Sequence, residues 1–168
     1  MKHFLRNFIC FSVCLCLLAG CGSGSDTSSG SDDSILRVGM ECNYAPFNWS
    51  TTNQNEYTQK ISSVDYADGY DVVIATMLAE KIGRKVEIVK LDWDNLILAL
   101  NNKQIDCIIA GMTDTETREK EVNFTSPYYE SEEVIIVKAD SKYANATSLA
   151  DFSGAKIQGQ MNTMYDEI

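Results

Sequence analysis

The chain has 168 residues, with 24 acidic side chains against 14 basic ones, six cysteines and a single histidine. A formal net charge of −10 argues against nucleic acid, and against docking on anionic lipid, as the partner of an exposed surface. The lone histidine is His3, at the extreme start, so no zinc-binding pattern can be assembled.

The first twenty-one residues read as an address. Lys2, His3 and Arg6 make a basic start, and residues 8–18 form an apolar run broken only by Ser12. That run is too short for a stable bilayer span and fits the apolar region of a secretory signal. It ends in Leu18-Ala19-Gly20-Cys21, which resembles the bacterial lipobox, where cleavage before the cysteine leaves a thiol that carries a diacylglyceryl group. An ordinary signal peptide that merely contains cysteines fits less well, because Cys21 stands where hydrophobicity stops and flexible composition begins. Residues 1–20 are therefore expected to be a lipoprotein signal peptide, and 21–34 the lipidated cysteine with its linker. Residues 22–34 contain only Gly, Ser, Asp and Thr, a tether whose average reach is roughly 20 Å. Lys2 and Arg6 leave with the signal, so the remaining chain carries 12 basic residues against 24 acids, or −12. Cys10, Cys14 and Cys16 leave too, and beyond Cys21 only Cys42 and Cys107 remain, read as two separate, partly buried thiols rather than a bridge.

Globular sequence starts at Ile35. Residues 35–39 are a β-branched, apolar-rich strand, followed by a loop over 41–49 marked by Asn43, Pro46 and aromatics. Residues 50–69 are polar and aperiodic and read as a surface insertion. Tyr70, Val73, Ile74, Met77, Leu78 and Ile82 then recur at helical spacing, with Asp71 favourable near the start and Gly83 as the stop. A second strand is expected over 86–89. A second helix carries Trp93, Leu96, Ile97 and Leu100 on one face, with Asp92 or Asp94 as its cap. Residues 105–110 are a third strand. After Arg118 come a short helix, a loop over 123–129 and a fourth strand over 133–138. Residues 140–153 are polar, and 155–160 are a candidate fifth strand. No internal repeat is visible.

Alternating strands and helices at these spacings predict a parallel α/β sheet, whose ligands collect beyond the carboxyl ends of the strands. Two such segments are 41–49 and 111–118. The second opens Ala110-Gly111-Met112-Thr113-Asp114-Thr115-Glu116-Thr117-Arg118. Gly111 permits close approach to the backbone, Thr115 is placed to cap a short helix, and Arg118 offers a planar fork suited to a carboxylate. A capped surface helix with a solvated Arg118 fits these residues equally well.

A wider set of residues speaks to this choice. In order along the chain come Leu36-Arg37-Val38-Gly39, Tyr44-Ala45-Pro46-Phe47, Gly69-Tyr70-Asp71-Val72, Trp93-Asp94-Asn95-Leu96, Gln104-Ile105-Asp106, Ala110-Gly111-Met112-Thr113 with Arg118, and Phe124-Thr125-Ser126-Pro127-Tyr128-Tyr129. Together with Ser148-Leu149-Ala150-Asp151-Phe152-Ser153-Gly154, this order resembles the family-3 extracellular solute-binding proteins over residues 35–168, apart from the stretch 50–68. The resemblance implies an α/β, type II periplasmic-binding-protein fold, with most of lobe 1 in residues 35–138 and the beginning of lobe 2 in 139–168.

The resemblance further implies a substrate-binding component of an ABC importer, monomeric and lipid-anchored outside the cytoplasm, that hands a free amino acid to membrane permease subunits. It implies no cofactor and no metal. The backbone of Gly111, Thr113 and Arg118 would hold the ligand α-carboxylate, and Ala110 would be a further ligand-binding position. Tyr44 and Trp93 would be aromatic walls, with Glu41 beside them at the mouth. Each has a plainer reading: Trp93 continues an apolar helix face, Tyr44 can cover the sheet edge, and Glu41 can be a solvated loop charge. Phe47, Tyr70 and Pro127 are assigned to packing and turn geometry, and Tyr128 and Tyr129 to the neighbourhood of the hinge.

In the second lobe the family's Gly-Thr-Thr-like turn is matched by Asn162-Thr163-Met164. Asn162 can adopt positive φ, whereas Met164 lacks a hydroxyl, leaving Thr163 and backbone N–H groups as the expected contacts. The family's ammonium-binding acid falls beyond Ile168, so the chain reads as a C-terminally incomplete copy of the fold. Two other classes are carried: a dehydratase-like enzyme of aromatic amino-acid precursors and an extracytoplasmic sensor domain. The first lacks a convincing catalytic acid before Ile168, and the second sits poorly with a lipobox.

Overall fold

A computed structural model describes residues 33–166. The signal peptide, Cys21 and most of the linker lie outside those residues. Among the described residues no helix is long and apolar enough to cross a membrane.

β1 (Ile35–Met40) is the centre of a three-stranded parallel sheet, flanked by β6 (Lys85–Lys90) and β7 (Cys107–Ile108). Ile35 lies opposite Lys85 and Met40 opposite Lys90, while Val38 and Gly39 lie opposite Cys107 and Ile108. β1 is the middle strand because its side chains serve two packed faces. Leu36, Val38 and Met40 alternate onto one face and are buried with Ile88, Ile109 and the helix α1 (Tyr70–Lys81). On the other face Gly39 leaves no room for a methyl group: a Cβ there would stand 2.5 Å from Ile105 Cδ1 and 3.1 Å from Leu96 Cδ2. The helix α2 (Leu96–Asn101) can therefore press Leu96 onto that face of the strand, and Leu96 is fully buried. A bidentate Arg37–Asp106 pair, at 2.8 and 3.1 Å, ties the approach to β7 onto β1. Cys42 and Cys107 are free thiols, as the sequence suggests.

Several expectations need correction. The polar stretch 50–69 is part of the fold: β2 (Asn43–Tyr44), β3 (Asn48–Thr51), β4 (Gln59–Lys60) and β5 (Tyr66–Asp68) form an antiparallel sheet in the order β2-β3-β5-β4. Its strands are short and mostly solvated, with Ala67 fully buried, so no two-residue alternation marks them. Side chains build the turns: Asn55 Oδ1 accepts from the N–H groups of Tyr57 and Thr58, and Ser62 Oγ from those of Val64 and Asp65.

The buried face of α1 is also not the expected one. Asp71, Val72, Ala75 and Ala79 face inward, whereas Met77, Leu78 and Ile82 are exposed. This helix is apolar nearly all round, so periodicity could not choose a face, and the small alanines let it lie close to the sheet. The next helix begins as a 3₁₀ turn, Trp93–Asn95, and neither Asp92 nor Asn95 makes a side-chain capping bond. Neither 133–138 nor 155–160 forms a hydrogen-bonded strand, and Val134 and Ile136 are exposed. β-branched residues report a readiness to pair, but pairing also needs an open strand alongside.

Candidate functional site

Each strand of the parallel sheet ends in a loop at the same edge, and those loops carry the candidate residues. Glu41 and Tyr44 follow β1, Trp93 follows β6, and Ala110, Gly111 and Thr113 follow β7. Arg118 sits on the short helix α3 (Glu116–Glu119), whose N-cap Thr115 accepts from the Arg118 N–H at 3.3 Å. These residues, Thr115 excepted, line one solvent-open cleft together with Thr163, Gln160, Met164 and Tyr165. The structure thus brings together every residue singled out from the sequence for the cleft.

The chemistry is that of two opposite charges beside aromatic rings. Arg118 is held from below, its Nη1 donating to the Thr113 carbonyl at 2.7 Å, with its guanidinium 5.4 Å from the centre of the Trp93 ring. Its Nη2 donates to the Asn162 carbonyl oxygen at 3.3 Å, and Trp93 Nε1 donates to that same oxygen at 3.0 Å. Asn162 stands at φ 60, the left-handed conformation foreseen for this turn, and its Nδ2 donates to Asp94 at 2.9 Å. Glu41 accepts from Gln160 Nε2 at 3.0 Å. Thr163 is nearly buried, and its hydroxyl donates to the Gln160 carbonyl at 2.6 Å. Tyr44 stacks on Phe47 at 5.1 Å, and burial beside Tyr165 raises its hydroxyl pKa above the ordinary value.

Behind the cleft lies a polar chain that the sequence reading did not find. Asp71, read there as a first-turn acid complementing the helix dipole, is fully buried. Its carboxylate accepts from Asn48 Nδ2 at 2.7 Å and from the Tyr128 hydroxyl at 2.9 Å. Asn48, equally buried, accepts from the Cys42 N–H at 2.8 Å, and the Tyr128 oxygen accepts from the Gly111 N–H at 3.1 Å. Burial raises the pKa of Asp71, while its two hydrogen bonds pull the other way. Burial, reinforced by the Asp71 charge, holds the Tyr128 hydroxyl well above its ordinary pKa, so it stays a donor. The available signal was only an acid, an amide and a tyrosine, far apart in the sequence and without a shared pattern.

Among the described residues no cluster of three or more His, Cys, Asp or Glu side chains could hold a metal ion.

The family model for bacterial extracellular solute-binding proteins, family 3, matches residues 36–167. The arginine-binding extracellular protein ArtP of Bacillus subtilis (strain 168) is 34% identical over 167 residues, covering 99% of this chain and 59% of its own length. The L-cystine-binding protein TcyA of the same organism is 28% identical over 179 residues, covering 99% and 61%. The chain therefore spans about three fifths of the length of these relatives. The arginine-bound form of domain 1 from TmArgBP, a solved structure, is 34% identical, with a TM-score of 0.48 over 57% of this chain and 68% of that one.

Proposed function

The chain belongs to the bacterial extracellular solute-binding proteins, family 3, and on that premise we propose that it captures an amino acid with a cationic side chain for an ABC importer. One observation carries the reading: a single cleft gathers a guanidinium, Arg118, and a carboxylate, Glu41, with the rings of Tyr44 and Trp93. Arg118 answers the ligand α-carboxylate, with Thr113 beside it; the Gly111 N–H, expected from the sequence to join them, is taken by the Tyr128 oxygen. Glu41 answers a positive side chain, whose apolar stem lies against Tyr44 and Trp93. Arg118 and Glu41 thus answer two of the three charges of such a ligand, and each needs its partner because a buried charge without one is costly. The arginine-binding function named for the 34% identical Bacillus protein supports the same class of ligand.

The mechanism is binding without bond chemistry. Residues 35–138 make up most of a first lobe and residues 139–168 begin a second. The turn holding Gln160, Asn162 and Thr163 comes from that second part, so closure about the hinge brings its groups onto the ligand. The Asn162 carbonyl rests on Arg118 and Trp93, where a ligand oxygen would find the same two donors. The closed, loaded protein, a monomer anchored through Cys21, delivers its solute to the permease.

The test is a thermal-shift screen of the full-length protein against the twenty amino acids, with Arg118→Ala and Glu41→Gln alongside. A ligand at 100 times its dissociation constant stabilises the fold by about 2.7 kcal/mol. Arginine, lysine or ornithine (added as a twenty-first ligand) should raise the midpoint, and each substitution should abolish that rise. A rise with uncharged side chains only refutes the cationic reading. No rise with any ligand refutes amino-acid capture.

A further inference from the structure

The cleft is built from loops that contribute Glu41 and Tyr44 on one side and Gly111 and Thr113 on the other, and loops do not hold such positions unaided. We infer that Asp71, acting through Asn48 and Tyr128, is the positioning residue that fixes both ligand-facing segments against each other. This inference rests on the proposed amino-acid site and adds to it three residues that contact no ligand.

The connection can be followed atom by atom. One carboxylate oxygen of Asp71 takes the Asn48 amide, whose own oxygen takes the Cys42 N–H. Cys42 has φ 56, a left-handed conformation uncommon for a residue with a Cβ, and it directly follows Glu41. The Asn48 bond thus holds the backbone reversal that turns the chain from Glu41 toward Tyr44. The other oxygen of Asp71 takes the Tyr128 hydroxyl proton, and the Tyr128 oxygen takes the Gly111 N–H. Gly111 has φ 63, and a Cβ there would stand 3.1 Å from the Tyr44 ring, so its backbone is set against the aromatic wall.

The start of α1 joins in. The Tyr70 and Asp71 N–H groups donate to the carbonyls of Pro46 and Phe47 at 3.2 and 2.8 Å, clamping the far end of the first loop. The Tyr70 hydroxyl donates to the Tyr128 carbonyl at 3.3 Å, so the segment carrying Tyr128 is held at its backbone as well. Every donor in the chain has an acceptor, which makes the arrangement rigid. Among the described residues no buried side-chain polar atom lacks a partner. Gly111 is consequently presented with its N–H already spent, leaving the Thr113 region and Arg118 to supply the donors a carboxylate needs.

The experiment uses the full-length protein and L-arginine as probe, with affinity measured by titration calorimetry well below the unfolding midpoint. There every variant is fully folded, so a loss of global stability does not enter the dissociation constant. Tyr128→Phe removes one hydroxyl and both hydrogen bonds it makes, to Asp71 and from Gly111, and should weaken arginine roughly three- to tenfold. Hydrogen exchange at the Gly111 amide should accelerate in the same variant. Asp71→Asn, which disturbs both branches, should weaken binding further. Tyr129→Phe, the neighbouring hydroxyl, should change neither readout. The inference is overturned if Tyr128→Phe binds arginine within twofold of wild type, or if Tyr129→Phe weakens it equally. Failure of the wild-type protein to bind arginine would instead sink the functional reading and this inference with it.

Discussion

Replacing Asn48 by alanine isolates the most consequential buried contact in the molecule. The substitution removes the acceptor of the Cys42 N–H and one of the two donors to the Asp71 carboxylate. An orphaned buried amide costs about 1–3 kcal/mol, and a lost hydrogen bond to a charged group about 1.5–3 kcal/mol. Because the two groups share a neighbour, their costs do not add fully. The expected loss is therefore about 3–5 kcal/mol, a large share of the roughly 5–15 kcal/mol that stabilises an ordinary domain. Urea unfolding followed by the fluorescence of Trp49 and Trp93 measures it. With a slope of about 2 kcal/mol/M, the midpoint should fall by roughly 1.5–2.5 M with the slope unchanged.

Asn48→Asp sharpens the test, since the new carboxylate still accepts from Cys42 but faces Asp71, whose pKa is already raised by burial. Two adjacent carboxylates hold one proton between them, so the folded pair titrates above the unfolded value. Stability relative to wild type is then fully present below the unfolded carboxylate pKa and is lost as pH rises through the folded one. At neutral pH the variant should be at least as weak as Asn48→Ala, and it should recover toward wild type on acidification. A midpoint shift under 0.5 M for Asn48→Ala, or no recovery of Asn48→Asp in acid, would refute the assignment of this chain as a buried, charged network.

Thr115→Ala removes the cap that accepts from the Arg118 N–H and should cost about 1 kcal/mol in urea unfolding. The Asp106 carboxyl is held below its usual range chiefly by its hydrogen bond to Arg37. Its contribution is present above the unfolded carboxylate pKa and lost as pH falls through the lower folded one, so Asp106→Asn should flatten the acid limb of a stability–pH profile. Burial pushes the thiols of Cys42 and Cys107 up to about 11. At pH 8 both should resist a disulfide reagent in the folded protein and react only as urea unfolds it; rapid labelling without unfolding would contradict the burial of Cys42 and the partial burial of Cys107.

The parallel sheet, its first strand and the loops that carry the cleft were legible because they depend on local facts. Residues 35–39 are apolar-rich with β-branched side chains, Gly83 stops a helix at φ 71, and a strand ending at Gly111 followed by Thr115 and Arg118 announces a capped turn with a cation. A cleft at the carboxyl ends of the strands follows from the topology alone. What was not legible depends on which surfaces meet. α1 offers apolar residues on every side, and only the sheet beneath it selects Val72, Ala75 and Ala79 over Met77 and Leu78. The antiparallel sheet of residues 43–68 has almost no core of its own, so its strands leave no periodic trace and exist by pairing with one another.

The same division runs through the site. The sequence by itself determined which side chains could meet a zwitterion, because charge, planarity and aromaticity are properties of Glu41, Arg118, Tyr44 and Trp93 wherever they stand. Tertiary structure alone decided that Asp71, an unremarkable acid at a helix start, is sealed from water and bound by Asn48 and Tyr128. Whether a carboxylate is solvated or buried is fixed by partners 23 and 57 residues away along the chain, and no local pattern encodes them.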